Sequence, residues 1–197
     1  MNNVLILPII LPLITGMLLI IFREKIILQR VFSLLAVFLT GTSAVILLKQ
    51  IQESGIQTLQ LGGWEAPFGI GLVGDFLSVL LILTSSIVAL CCLLYSFRSI
   101  GEEREKHFFY PLFLFLLTGV NGSFLTGDLF NLYVFFEVLL IASYVLVSLG
   151  GKKFQLREGI KYVVINVVSS SFFLVAIAYL YSVTGTLSMA HISVRVA

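Results

Sequence analysis

Long uncharged apolar runs alternate with short charged segments along this chain. The hydrocarbon core of a bilayer is about 30 Å thick, so a helix that spans it needs about 20 apolar residues. Six runs of about that size are present, at residues 4–22, 31–48, 76–97, 108–125, 129–149 and 162–183. They lack the two-residue alternation of a membrane barrel, and open strands leave backbone groups unsatisfied in lipid. The pattern therefore predicts an all-α integral membrane protein with six transmembrane helices.

Residues at the ends of these runs predict local structure. Asp75 directly precedes the third run and is suited to cap its helix. Residues 126–128 are a very short link, so the fourth and fifth helices are predicted to be antiparallel neighbours. The first run contains Pro8 and Pro12 and lacks a basic start and a cleavage site, so we interpret it as a span, not a signal peptide.

Composition agrees with a membrane environment. Of the 197 residues 59% are hydrophobic and 11% are charged, which excludes a soluble globular domain of this length. The net charge of +2 comes from short loops, and no basic patch predicts a nucleic-acid partner. Cys91 and Cys92 are adjacent within an apolar run, so we expect reduced, buried side chains. His107 and His191 have no metal-ligand spacing, and no metal site is predicted.

The basic residues are distributed unevenly between the two sides of the predicted bundle. Three segments on one side hold three, three and four of the twelve Lys and Arg residues: Arg23, Lys25, Arg30, Arg98, Arg104, Lys106, Lys152, Lys153, Arg157 and Lys161. The other side has only Lys49 and Arg195. The positive-inside rule therefore places these three segments in the cytoplasm and both termini outside, in a bacterial-type cell membrane.

Two segments between the runs are interpreted as loops. Residues 49–74 form a Gly-rich outer loop around Trp64, whose indole is expected at the headgroup level. A ligand pocket is the alternative for this loop. The charged segment 102–106 is expected to be a solvated loop.

Glu137 is the acidic residue that lies far inside an apolar run. It follows Asp128 by nine residues and precedes Leu149 by twelve, which puts it roughly 14 to 18 Å from either end. An ionised carboxylate at this depth costs at least about 2.5 kcal/mol, so it needs a proton, a partner or a hydrated cavity. Glu137 is therefore predicted to be a proton-transfer site, with a purely structural carboxylic acid as the alternative.

Other polar side chains repeat at helical spacing near Glu137. On its own helix, Tyr133 and Tyr144 share its face, together with Ser148. Further polar positions lie in the sixth and fourth runs, namely Tyr162, Asn166, Ser169, Ser170, Thr118 and Asn121. Three helices are thus predicted to converge on a hydrated interior, which Tyr133, Tyr144, Asn166, Ser169 and Ser170 would line. The alternative is that these groups only form hydrogen bonds between helices.

The segment 127–144, Gly-Asp-Leu-Phe-Asn-Leu-Tyr-Val-Phe-Phe-Glu-Val-Leu-Leu-Ile-Ala-Ser-Tyr, resembles the fifth helix of the D subunits of Mrp-type multisubunit Na⁺/H⁺ antiporters. More distantly it resembles the antiporter-like subunits of respiratory complex I. Residues 61–64, 67–70, 111–128 and 184–186 support this resemblance.

The resemblance implies a longer fold of about fourteen helices, of which this chain is expected to be the N-terminal part. Residues 1–107 would form three N-terminal helices, and residues 108–197 the first part of a proton-translocating bundle. Glu137 matches the family's membrane glutamate, whose partner is a lysine on a seventh helix beyond this chain; Lys161 lies too near the helix end to replace it. The implied partners are H⁺, Na⁺, lipid and other membrane subunits, with no cofactor.

Two alternatives remain open at the level of sequence. The chain is also compatible with a proton-pumping membrane subunit of a complex I-like NADH:quinone oxidoreductase or membrane hydrogenase. No residue distinguishes that interpretation from an antiporter. A non-conducting structural subunit is the third interpretation, because the partner lysine is absent from these residues. An intramembrane enzyme is disfavoured, since one carboxylate alone does not make a hydrolytic site.

Overall fold

The computed structural model describes residues 3–63 and 69–196, and it confirms the all-α membrane fold. After a 3₁₀ turn at Asn3–Ile6, the helices are α1 (Leu7–Ile21), α2 (Ile26–Ser54), α3 (Phe76–Ser99), α4 (Glu102–Lys106), α5 (Phe109–Leu125), α6 (Leu129–Ser148), α7 (Lys153–Thr184) and α8 (Met189–Val196). Five are long and apolar enough to cross a membrane, counting α1 with its 3₁₀ turn, and α5 is a shorter apolar helix of 17 residues. Each of the six predicted runs is therefore helical.

Helices α2 and α7 are longer than the apolar runs that predicted them. Helix α2 has 29 residues and includes both Arg30 and Lys49, while α7 has 32 and begins before Lys161. Lys, Arg, Glu and Gln are good helix formers, so the helices continue past the apolar stretch. Hydrophobicity marks the part of a helix that lipid covers, not its hydrogen-bonded ends.

The predicted cap of α3 is confirmed. The backbone N–H of Ser78 donates to Asp75 Oδ1 at 2.7 Å, and the backbone N–H of Asp75 donates to Ser78 Oγ at 3.0 Å, which completes a capping box. The Ser78 hydroxyl and backbone N–H stabilise the carboxylate and lower the pKa of Asp75.

The outer Gly-rich segment contains a small hairpin where the sequence predicted only a loop. Strands β1 (Gln57–Gln60) and β2 (Gly71–Gly74) pair antiparallel, with Gln57 opposite Gly74. Leu59 and Leu72 lie opposite each other, and both are buried. One inward-facing leucine per strand is too short a pattern to read as a strand from the sequence. Trp64 lies outside the described residues, so its predicted interfacial position stays a prediction.

The charged segment 102–106 differs most from its prediction. It forms the short helix α4, and Glu105 is only 1% exposed. Arg30 donates to both carboxylate oxygens of Glu105, from Nη2 at 2.8 Å and from Nε at 3.1 Å, and its guanidinium lies 5.4 Å from the centre of the Phe97 ring. The expectation of a solvated loop is wrong for Glu105, because this ion pair compensates its burial.

Cys91 and Cys92 are also placed differently. Both are reduced but exposed on the outer surface of α3, not buried. An apolar surface facing lipid costs nothing, so a small apolar residue in a membrane helix need not be in the core.

Close packing between α5 and α6 depends on two glycines. A Cβ at Gly119 would lie 2.7 Å from the backbone nitrogen of Leu139 and 2.8 Å from the carbonyl oxygen of Phe135. At Gly122 it would overlap the ring of Phe135 at 2.2 Å. These glycines let α6 approach the backbone of α5, as small residues commonly do in membrane helix pairs.

The first prediction concerns Gly119. Gly119→Ala places a methyl group against backbone atoms that no rotamer change can move, so we expect a loss of about 1–3 kcal/mol in the free energy of unfolding. Gly41→Ala is the matched control, because its Cβ would make only a 3.5 Å contact with Ser86 Cβ. Thermal unfolding of the purified protein in detergent measures both. Equal stability of the two variants would contradict the assigned packing.

The second prediction concerns the Arg30–Glu105 pair. Glu105→Gln leaves Arg30, which is 33% exposed, without its counter-charge and should cost about 2 kcal/mol of unfolding free energy. Glu158→Gln removes an exposed pair, whose two side chains are 41% and 55% exposed, and should cost less than about 0.5 kcal/mol. Unfolding in denaturant compares them. A change of the same size in both variants would show that burial of Glu105 does not matter.

Candidate functional site

The start of α6 is fixed by a local polar network. The backbone N–H of Asn131 donates to Asp128 Oδ1 at 2.9 Å, which caps the helix. The side chain of Asn131 donates from Nδ2 to Thr126 Oγ1 at 3.0 Å. The link 126–128 therefore enters α6 in a defined direction, and α5 and α6 are neighbours as predicted.

Backbone hydrogen bonds hold this link on both sides. The N–H of Gly127 donates to the Gly71 carbonyl of β2 at 2.9 Å, and the N–H of Met189 donates to the Gly127 carbonyl at 2.9 Å. Leu129 also donates to the Leu187 carbonyl at 3.0 Å. The link is thus the middle of a small ladder between the hairpin and the start of α8. This ladder anchors the helix that carries Glu137.

Glu137 is the ninth of the twenty residues of α6 and is half-buried against α7. The hydroxyl of Ser170 on α7 donates to Glu137 Oε1, and the same hydroxyl lies 3.4 Å from the Tyr133 hydroxyl. A serine has one hydroxyl proton, so Ser170 donates to one of these two oxygens at a time. This geometry joins the carboxyl group to a short chain of hydroxyls between two helices.

A cavity of about 320 Å³ opens beside this carboxyl group. Its lining comes from one face of α6 and one face of α7: Tyr133, Phe136, Glu137, Leu140, Asn166, Ser169, Ser170 and Phe173. Within this described lining, Glu137 is the carboxyl group and Tyr133 the other titratable side chain. The polar atoms cluster around Glu137, while the aromatic rings of Phe136 and Phe173, with centres 6.2 Å apart, form an apolar wall.

The sequence-predicted polar residues are brought together only in part. Asn166 and Ser169 line the cavity, although their side chains donate to the Tyr162 and Ile165 carbonyls of their own helix, at 2.8 and 3.0 Å. Tyr144 lies two turns from Glu137, outside the cavity lining, where its ring meets that of Tyr162 edge-on at 5.3 Å.

Helix α5 does not reach this site, so the predicted convergence of three helices is wrong. Asn121 Nδ2 donates to the Pro8 carbonyl of α1 at 2.9 Å, and Ser85 of α3 donates to Asn121 Oδ1 at 3.1 Å. Thr118 is buried and donates to the Leu114 carbonyl at 2.9 Å. These groups tie α1, α3 and α5 together, and the candidate site is formed by α6 and α7.

The aromatic wall was missed by sequence reasoning. Phe136 is next to Glu137, and Phe173 follows Ser170 by three residues, so both had the helical spacing to face the site. In an apolar run, however, a phenylalanine that faces a cavity looks the same as one that faces lipid.

The arrangement is suited to moving a proton and not to breaking a covalent bond. A carboxyl group can bind and release a proton, and the adjacent hydroxyls can both donate and accept hydrogen bonds. In the described part of the chain, no group of three His, Cys, Asp or Glu side chains is arranged to hold a metal ion.

Comparison with known proteins confirms the resemblance to the N-terminal part of antiporter D subunits. Residues 126–196 match the family described as NADH:quinone oxidoreductase/Mrp antiporter, transmembrane. The whole chain is 54% identical to the D subunit of the Na(+)/H(+) antiporter of Alkalihalophilus pseudofirmus, over 40% of that relative's length. The chain thus spans about two fifths of the curated relative it matches.

Solved structures share this fold. A chain of the membrane-bound sulfane sulfur reductase, an archaeal respiratory membrane complex, is 32% identical with a TM-score of 0.89; the match covers 98% of this chain and 40% of that one. A chain of the Mrp complex from Dietzia sp. DQ12-45-1b is 27% identical with a TM-score of 0.87, over 95% of this chain and 36% of that one.

The third prediction tests the Ser170–Glu137 contact. Ser170→Ala removes the donor, so the C=O stretch of protonated Glu137 should move to higher frequency in infrared difference spectra. The band is assigned by its loss in Glu137→Gln. Ser169→Ala is the matched control, since that hydroxyl donates to the Ile165 carbonyl and should leave the band in place. An unshifted band in Ser170→Ala would remove Ser170 from the site.

Proposed function

We propose that this chain, which is similar over its whole length to the N-terminal part of Mrp-type antiporter D subunits, belongs to a membrane subunit of a multisubunit cation/proton antiporter. The subunit would act as a secondary transporter component that moves H⁺ in exchange for Na⁺, together with other membrane subunits. The proposed division of the chain after residue 107 follows from the same resemblance.

The observation that carries this proposal is a carboxyl group at mid-helix beside a hydroxyl donor and a cavity. Glu137 lies in a helix apolar and long enough to span the membrane, and we place it near the bilayer midplane. The contact with Ser170 and the adjacent 320 Å³ cavity lower the cost of the charged form. Glu137 can then exist both protonated and ionised, as a proton carrier must.

Proton transfer would proceed through hydroxyl groups and water. When Glu137 is ionised, Ser170 donates to the carboxylate; when Glu137 is protonated, the carboxyl donates and Ser170 turns its own proton toward Tyr133. Asn166 and Ser169 would line the hydrated path, and Tyr144 would extend it along α6. The charge of Glu137 would be coupled to a cation nearby, so that H⁺ moves one way and Na⁺ the other.

The orientation we propose follows the positive-inside rule, with both termini of this chain outside the cell membrane and the basic segments in the cytoplasm. Contacts between the basic segments support a common side. Arg30 pairs with Glu105, and Arg104 lies against Gly150, so all three segments meet at one end of the bundle.

A redox-driven complex is the second candidate. It is favoured by the likeness to a chain of an archaeal respiratory membrane complex at 32% identity and a TM-score of 0.89. In that setting the same Glu137 chemistry would pump H⁺ while other subunits transfer electrons. Co-purification with iron-sulfur and flavin subunits would favour this candidate over an antiporter.

The fourth prediction concerns Glu137→Gln in the full-length subunit of the assembled complex. Glutamine keeps the shape but cannot carry the proton, so Na⁺-driven H⁺ movement in vesicles should fall at least about tenfold. Glu53→Gln is the matched acid-to-amide control, because Glu53 is exposed at the end of α2. Transport is followed by a pH-sensitive dye after a Na⁺ pulse.

Assembly of each variant is checked by co-purification of the other subunits. Normal transport by assembled Glu137→Gln would exclude Glu137 as the proton carrier. It would leave a structural role for this helix as the better account.

A further inference from the structure

A second cavity lies at the basic end of the bundle, away from Glu137. Its volume is about 480 Å³, and it lies between α4 and the link that joins α6 to α7. Its lining consists of Glu103, Arg104, His107, Val145, Ser148, Leu149, Gly150, Gly151 and Lys152. The proposed proton path does not use this cavity.

The two cationic groups of this cavity have no protein partner within the described ranges 3–63 and 69–196. Arg104 is half-buried, yet among these residues it takes part in no ion pair and its side chain in no hydrogen bond, and the same holds for Lys152. Arg30 and Lys161, in contrast, each have a carboxylate within 2.8 Å. Glu103 contributes one exposed negative charge at the rim. A half-buried guanidinium without an acceptor indicates room for an external anion.

The backbone adds to the positive character of the cavity. Helix α7 begins at its edge, with Lys152 as N-cap, no side-chain cap and no acidic residue in the first turn. The preceding Gly150 and Gly151 have φ of 115° and 62°, which only glycine adopts without strain. A Cβ at Gly150 would lie 2.9 Å from Arg104 Nε, so glycine lets the guanidinium approach the backbone.

An unsatisfied acceptor lies at the same place. Gln155 Oε1 is buried without a hydrogen-bond partner among the described residues, and it would be 3.0 Å from the same Gly150 Cβ position. Positive groups for an anion and a buried acceptor for a hydroxyl are thus adjacent. Val145 and Leu149 provide an apolar wall from α6, and Val145 is exposed on the surface that lipid chains would cover.

We propose that this cavity binds the phosphodiester head group of an anionic phospholipid with a hydroxyl-bearing head, such as phosphatidylglycerol. Arg104 and Lys152 contact the phosphate, Gln155 accepts from a head-group hydroxyl, and an acyl chain follows Val145 along α6. Basic pockets between membrane helices at the headgroup level are typical sites for such lipids. A bound lipid would bridge α4 to the α6–α7 link.

The fifth prediction tests this site in the full-length subunit within its assembled complex. The complex is reconstituted in phosphatidylcholine nanodiscs with a small fraction of photoreactive phosphatidylglycerol, and labelled peptides are identified by mass spectrometry. We expect labelling of residues 103–107 and 145–152. Arg104→Gln and Lys152→Gln should each reduce it about fivefold.

Two comparisons separate this proposal from others. The double variant Arg98→Gln/Arg157→Gln removes the same charge from exposed positions outside the cavity and should label like the wild type. Equal labelling by photoreactive phosphatidylcholine, or undiminished labelling of Arg104→Gln/Lys152→Gln, would overturn the proposal. Loss of labelling on addition of inorganic phosphate would assign the site to free phosphate and overturn the lipid assignment.

Discussion

The cost of a polar group in hydrocarbon is the constraint on which this structure depends. Backbone groups satisfy it within helices, and most serines and threonines satisfy it by donating to a carbonyl of their own helix, as Thr40, Thr118 and Ser171 do. A carboxyl group at mid-helix has no such local solution. Glu137 therefore needs a partner from another helix, and Ser170 supplies it.

Local signals in the sequence predicted the parts of the fold that local chemistry determines. Asp75 and Asp128 cap helices through residues three positions later, so their roles were visible before any tertiary structure. Arg30 and Glu105 are 75 residues apart, and no local pattern connects them. The hairpin was missed for a related reason, since its pairing depends on contacts between segments with only one buried leucine each.

The candidate site was predictable in its chemistry but not fully in its geometry. Depth within an apolar run singled out Glu137, and helical periodicity selected Ser170 as a polar position on the next helix. Periodicity says which residues share a face, but not which neighbour that face meets. Asn121 shows the difference: its face turns toward α1 and α3, where it bonds to Pro8 and Ser85, so a correct polar stripe led to a wrong site.

The positions of the two anchors explain why the Glu137 site lies between α6 and α7. Helix α6 is fixed against α5 by the contacts at Gly119 and Gly122, and its start is held by the ladder through Gly127. Helix α7 packs mainly on α6, with most of its surface exposed. The carboxyl group is therefore carried on the well-anchored helix, and its hydroxyl partner on the less enclosed one. A cation or further helix approaching the open side of the cavity would reach Glu137 without disturbing the packed helices.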